Sequence, residues 1–161
     1  MTRTGQALSV AALTSGALLS GALAFQHIGG LHPCEMCHWQ RWPHYAALVI
    51  AAGGGLALAQ QQPGFARWAA VLAALALWVT AAIGLFHAGV EQDWWEGPTA
   101  CSVIGGGQTA EDIFATVMAA PVIRCDETPW SLFGISMAGY NALISFLMGG
   151  LVLWLSMKRK K

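Results

Sequence analysis

Long apolar runs broken by short polar clusters set the rhythm of this chain. Four runs, at about residues 7–28, 43–59, 66–89 and 133–156, each approach the ~20 residues that cross the hydrocarbon core of a bilayer. Backbone N–H and C=O groups in lipid have to be satisfied within the segment, so all four are expected to be helices. The expected fold class is therefore an all-α membrane protein, a four-helix transmembrane bundle forming one integral-membrane domain over residues 1–161. The first run follows Arg3 and carries small residues, as a signal peptide does. It exceeds a typical signal-peptide core, however, and three more runs follow, so it is read as a retained helix.

Composition agrees, with 56% hydrophobic and only 10% charged residues, too few charges for an ordinary soluble surface. Net charge is zero, which gives no reason to expect a nucleic-acid partner. The position of the charges is more informative. Arg3, Arg67, Lys158, Arg159, Lys160 and Lys161 fall on one side of a four-span topology, and only Arg41 and Arg124 on the other. The excess of cations marks the cytoplasmic side, so both termini are expected there. The acids and all four cysteines, Cys34, Cys37, Cys101 and Cys125, fall in the two opposite loops, about 29–42 and 90–132. Disulfides persist on that side of a bacterial membrane. Four cysteines permit three pairings, and spacing does not choose among them.

The segment QQQPGFAR between the second and third runs carries Pro63-Gly64 as a turn signal. It leaves no room for a catalytic domain on the cytoplasmic side. Gly53-Gly54-Gly55 and Gly149-Gly150 suit close helix packing. The second outer loop is too long for a plain connection. Trp94-Trp95 reads as an interfacial anchor, and Cys101 precedes a flexible Gly105-Gly106-Gly107 tract that would make it a mobile arm. Thr109 and Asp112 stand at capping-box spacing ahead of EDIFATVMAA, where Ile113, Phe114, Val117 and Met118 share one helical face. A short amphipathic helix lying on the membrane surface is the expectation, ended by Pro121. Cys101 and Cys125, two dozen residues apart, have the spacing of a loop-closing or exchanging disulfide and not of a metal knuckle.

The stretch HPCEMCHWQRW holds the most chemistry. As C-x-x-C-H it fits c-type haem attachment, and as C-x-x-C a redox dithiol. If the second helix begins near Gln40, Pro43 falls in its first turn and Cys37 just before its N-terminus. The helix dipole and the nearby Arg41 would both favour thiolate over thiol, conditions that lower a cysteine pKa from ~8.5. Cys37 is then the candidate nucleophile and Cys34 its disulfide partner. Electrons released at a membrane interface need a lipid-soluble two-electron acceptor, and a quinone fits. The haem reading uses only Cys34, Cys37 and His38, and leaves Cys101 and Cys125 unexplained. A zinc site of His32, Cys34, Cys37 and His38 would bunch its ligands within seven residues, unlike the separated pairs of structural zinc. A third alternative makes both cysteine pairs structural staples of a membrane scaffold. The five histidines lie near outer span ends, where their polar tips would reach toward water.

FQH before PCEMCHWQRW, FHAGVE ahead of Cys101, and RCDE followed by FGIS, Ala138, Tyr140 and Asn141 together resemble the DsbB family of bacterial inner-membrane thiol oxidases. The resemblance spans nearly the whole chain and includes the arginine four residues after the second cysteine. It implies a relay in which a periplasmic thioredoxin-fold partner of the DsbA type attacks Cys101 and breaks a Cys101–Cys125 disulfide. Cys125 then exchanges with Cys34. Electrons reach Cys37, whose thiolate engages ubiquinone, with menaquinone also possible, in a charge-transfer or covalent adduct. By the same resemblance Arg41 polarises the quinone and steadies the thiolate, and His87 and Met137 contact it. The sequence departs from better-known members in His38, in Trp42-Pro43, and in a compact glycine-rich outer loop.

Overall fold

Three of the four expected helices extend beyond the apolar runs that announced them. The computed structural model describes residues 2–97 and 124–157. Helix α1 runs Arg3–His27, α2 Glu35–Ala59, α3 Pro63–Glu91 and α4 Met137–Met157. All four are long and apolar enough to cross a membrane. Cys101 and the expected surface helix of EDIFATVMAA lie outside the described residues.

The starts of the helices follow from local chemistry. Thr2 caps α1, its hydroxyl accepting the Gly5 N–H at 3.1 Å, as a threonine at this position does. Helix α2 begins at Glu35 and not near Gln40, because the Cys34 sulfur caps it by accepting the Cys37 N–H at 3.2 Å. Pro43 therefore lies inside α2 and not in its first turn. Its missing N–H frees one carbonyl a turn earlier. Pro63 opens α3 at a position where that N–H would have no helical partner. The turn between α2 and α3 is made by Gln60, Gln61 and Gln62, with Gln61 in the left-handed region at φ 59°. Pro63-Gly64 is thus the first turn of a helix, contrary to the turn expected from sequence.

Helix α4 starts later than the apolar run that predicts it. Residues 131–136 form a two-stranded antiparallel hairpin, β1 Ser131–Leu132 and β2 Ile135–Ser136, with Leu132 facing Ile135 and Ser131 facing Ser136. Its two-residue loop puts Phe133 and Gly134 at φ 50° and 77°, the double left-handed geometry that matches strand twist. Ser136 then caps α4 by accepting the Gly139 N–H. Tyr140 donates its hydroxyl to the Leu132 carbonyl, and the Trp130 ring packs, tilted, against both Phe25 and Tyr140. These contacts fasten the hairpin to the outer ends of α1 and α4.

The core is built from small side chains. Ala66, Ala69, Ala70, Ala73, Ala74 and Leu77 of α3 recur at helical spacing and pack with Ala7, Ala11, Val152 and Leu155. Large apolar groups such as Leu13, Val49, Trp68 and Phe146 face outward, as expected where the surroundings are lipid and helices associate by close packing. The glycine expectation holds in part. A Cβ on Gly54 would lie 2.7 Å from Leu8 and one on Gly149 2.6 Å from Trp78, whereas Gly53, Gly55 and Gly150 face open space. Between helices, the closest main-chain approach at a described glycine is at Gly84, where a Cβ would meet the Ala138 carbonyl oxygen at 2.9 Å. Gly84→Ala is expected to lower bundle stability by about 1–3 kcal/mol through overpacking, while Gly150→Ala leaves it unchanged. Thermal unfolding of both variants in one detergent measures the difference.

Candidate functional site

Because Cys34 caps α2, the two sulfurs of C-x-x-C are drawn together at its first turn. They stand 2.7 Å apart, and both are free thiols. Closing a bond of about 2.05 Å needs well under an ångström more. Cys34 is buried and Cys37 half-buried. The hydrogen bond with Cys37, followed by burial, pushes the Cys34 thiol far above its ordinary range. Cys125 is also buried and joins Cys34, Met36 and Val90 in one cluster, with Cys37 packed against it. Cys125, far from the near pair in sequence, thus shares its buried cluster.

His87, on α3, completes the group. Its Nε2 lies 3.5 Å from the Cys34 sulfur and 3.9 Å from a Glu91 carboxylate oxygen, and its Nδ1 is 2.7 Å from Gln40 Nε2. Cys34, Cys37 and His87 bring their donor atoms within 4.8 Å of one another. His32 and His38, the other members of the zinc alternative, are exposed. The expectation that all five histidines reach toward water fails for two, since His87 and His44 are each only 3% exposed. Both have hydrogen-bond partners inside the bundle, which removes the reason to seek solvent.

Arg41 stands one turn beyond Cys37 on α2. Its guanidinium donates to Gln26 Oε1 at 2.6 Å and to the Ala22 carbonyl at 3.5 Å, so α1 fixes its direction. Cys37, Arg41, His87 and Met137, four of the residues named from sequence, line a single cavity of about 310 Å³. Its other walls are largely apolar, including Leu18, Leu19 and Phe25 of α1. A second cavity of about 250 Å³ adjoins it, lined by Cys34, Cys37, His87, Arg124 and Glu127 among others. Cys37 faces both.

Several residues without a role in the sequence-based reading hold this site in place. Asn141 of α4 donates to Gln40 Oε1 at 2.7 Å and to Thr80 Oγ at 3.0 Å. His44 bridges Asn141 Oδ1 at 2.9 Å and Ser15 Oγ at 3.2 Å. Glu91, counted from sequence among the loop acids, ends α3 with its side chain 2% exposed, and its Oε2 has no hydrogen-bond partner among the described residues. The signal that could have found them was a polar side chain within an apolar span, which marks function by default.

A capped, hydrogen-bonded dithiol packed against a third cysteine can exchange disulfides. The family described as Disulfide bond formation protein DsbB matches residues 4–155. The chain belongs to the DsbB family. Three relatives are each called Disulfide bond formation protein B. That of Verminephrobacter eiseniae is 35% identical over 91% of this chain and 82% of its own. That of Aeromonas hydrophila is 33% identical over 72% of this chain and 66% of its own, and that of an Acidovorax species 30% identical over 85% and 78%. No solved structure matches the chain. It is thus a multi-pass membrane protein of disulfide bond formation.

The protonated state of Cys34 can be measured in this DsbB-family chain. In a Cys101→Ser, Cys125→Ser background, fully reduced, iodoacetamide at neutral pH should modify Cys34 more than about tenfold more slowly than Cys37, because only thiolate reacts. Peptide mass mapping over time reads the two rates.

Proposed function

We propose that this protein is a quinone-dependent thiol oxidase that reoxidises a periplasmic thioredoxin-fold dithiol protein of the DsbA type. The observation that carries the reading is the position of Cys37. It shares a hydrogen bond with Cys34, which lies in one buried cluster with Cys125, and it also lines the mainly apolar cavity beside Arg41. The reading makes the chain a single integral-membrane domain of the bacterial inner membrane. Both termini are cytoplasmic and the cysteines periplasmic, in keeping with the cations near both chain ends and in the α2–α3 connection.

The relay balances in thiols and electrons. A thiolate of the reduced partner attacks Cys101 of a Cys101–Cys125 disulfide, and Cys125 leaves as thiolate. The partner's second thiol closes the partner's own disulfide and releases Cys101. Cys125 attacks Cys34 of a Cys34–Cys37 disulfide, and Cys37 leaves as thiolate. Cys101 then closes on Cys125 and returns Cys34 as a thiol. Two electrons and two protons have passed from the partner to the Cys34–Cys37 pair.

Those electrons need an acceptor, and the cavity fits a quinone head group. Its volume of about 310 Å³ falls within the range of small-molecule sites, which pair apolar walls with a few polar groups. Arg41, held by Gln26, keeps further N–H groups to offer a carbonyl acceptor. Met137 supplies apolar wall, and His87 lines the cavity with its Nε2 3.5 Å from the Cys34 sulfur. A bound quinone, ubiquinone or menaquinone, would supply a two-electron, two-proton acceptor. Cys37 and Cys34 then return to the disulfide.

Turnover tests this directly. Purified protein mixed with reduced thioredoxin-fold partner and defined quinones should form quinol. Each of Cys34→Ser, Cys37→Ser, Cys101→Ser and Cys125→Ser should lower that rate by at least about a hundredfold, because each removes a covalent step. Undiminished turnover in any of the four would redraw the relay. Arg41→Met should lower kcat/KM for quinone by about ten- to a hundredfold, the worth of a hydrogen bond from a charged donor.

A further inference from the structure

The hydrogen bonds around Gln40 have a direction that can be read from one fixed donor. Thr80 Oγ lies 2.8 Å from the Gln40 main-chain oxygen. A carbonyl only accepts, so the Thr80 hydroxyl hydrogen is committed there and its oxygen can only accept from others. The Asn141 atom 3.0 Å from that oxygen must then be the amide nitrogen. The same nitrogen is 2.7 Å from the Gln40 side chain, which must present Oε1 to it. That orientation turns Gln40 Nε2 toward His87 Nδ1 at 2.7 Å and toward the Met36 carbonyl at 3.4 Å. An amide nitrogen only donates, so His87 Nδ1 carries a lone pair. In the neutral ring the proton is then on Nε2, which faces the Cys34 sulfur at 3.5 Å and a Glu91 carboxylate oxygen at 3.9 Å, and the ring also hydrogen-bonds the Cys125 main chain.

We propose that Thr80, Asn141 and Gln40 lock His87 as the Nε2–H tautomer, so that its N–H faces the Cys34 sulfur and the Cys125 main chain together and the chain of hydrogen bonds ends at the thiol pair. The Cys34 sulfur also accepts the Cys37 main-chain N–H at 3.2 Å. With the Cys37 N–H donating to it and the His87 N–H facing it, its own S–H is directed to the Cys37 sulfur at 2.7 Å. When the reduced pair holds a single proton, that proton stays on Cys34 and the charge on Cys37, at the cavity wall. Successive bonds in a low-dielectric interior polarise one another, so the distant Asn141 amide contributes to the state of the sulfur. Asn141 and Gln40 are positioning residues, acting through His87. The inference rests on the reading of Cys34 and Cys37 as a redox dithiol, and it adds to that reading a device that decides which sulfur keeps the proton.

The tautomer is directly observable. Full-length reduced protein with ¹⁵N-labelled histidine, in lipid nanodiscs, should show a His87 ring with bare Nδ1 and protonated Nε2, its signals assigned by their loss in His87→Asn. A ring protonated at Nδ1 overturns the proposal. Asn141→Asp supplies the second arm. A carboxylate there draws the Gln40 amide nitrogen to itself, presents Oε1 to His87, and should shift the ring proton to Nδ1. In the Cys101→Ser, Cys125→Ser background, Cys37 alkylation below neutral pH should then slow by about tenfold or more, the effect of one hydrogen bond to a charged group. An unchanged ring and an unchanged rate in that variant would also sink the idea. Turnover measured alongside separates the two levels. An Nε2–H ring in a protein unable to oxidise a dithiol partner refutes the functional reading and leaves the network standing, whereas an Nδ1–H ring in an active enzyme refutes the network alone.

Discussion

A polar side chain inside a lipid-facing bundle has no water to turn to, and the commitment of Thr80 to the Gln40 carbonyl orders everything around it. An unpartnered amide or imidazole there would cost several kcal/mol, roughly the stability margin of a small domain. Gln40, Asn141, His44 and Ser15 therefore satisfy one another across the bundle. Together with Thr80, these residues come from all four helices. Their bonds fix the rotation and axial register of each helix, which packing of small residues alone would leave less defined. The redox pair inherits that precision because Gln40 lies one turn from Cys37 on the same helix.

Two packing regimes share the work. Toward Thr2 and Gln62, alanines of α3 interdigitate with α1 and α4 around a few leucines and a valine. Toward the outer ends the helices part enough to leave the cavities, and aromatic contacts take over. Trp95 shows how tightly this end is nevertheless fitted. Its indole donates to the Phe86 carbonyl at 2.8 Å and lies so close to Gly89 that a Cβ there would come within 2.1 Å of the ring. The anchor expected of Trp94-Trp95 is in part a lock on the end of α3.

Hydropathy made the four helices legible, since ~20 apolar residues in a row are the length a helix needs to cross the hydrocarbon core. The cysteine spacing and Arg41 marked the chemistry, because i and i+4 share a helical face. Other features were hidden for definable reasons. The beginning of α2 depended on a sulfur acting as cap, which sequence rules reserve for hydroxyls and amides. The hairpin at 131–136 was submerged in an apolar run that a window average extends into α4. Gln40, His44 and Asn141 were each visible as polar residues in apolar surroundings, but their partners lie on other helices, up to 101 positions away. A single sequence carries no mark of such pairings. His44 and His87 were read as seeking water for the same reason.

The two cavities give the outer end a polarity that neither cysteine motif supplies alone. Cys34 lines the smaller one with Arg124 and Glu127, whereas the larger, mainly apolar one is lined by Cys37 and not by Cys34. On the proposed relay, reducing equivalents that enter by thiol exchange at Cys34 cross to Cys37 before they meet an apolar ligand. The crossing is a single sulfur–sulfur contact, guarded by His87 on one side and by the first turn of α2 on the other. The two cavities are separated at this point by the first turn of one helix. The helix cap that brings the sulfurs together is thus also the boundary between the two environments.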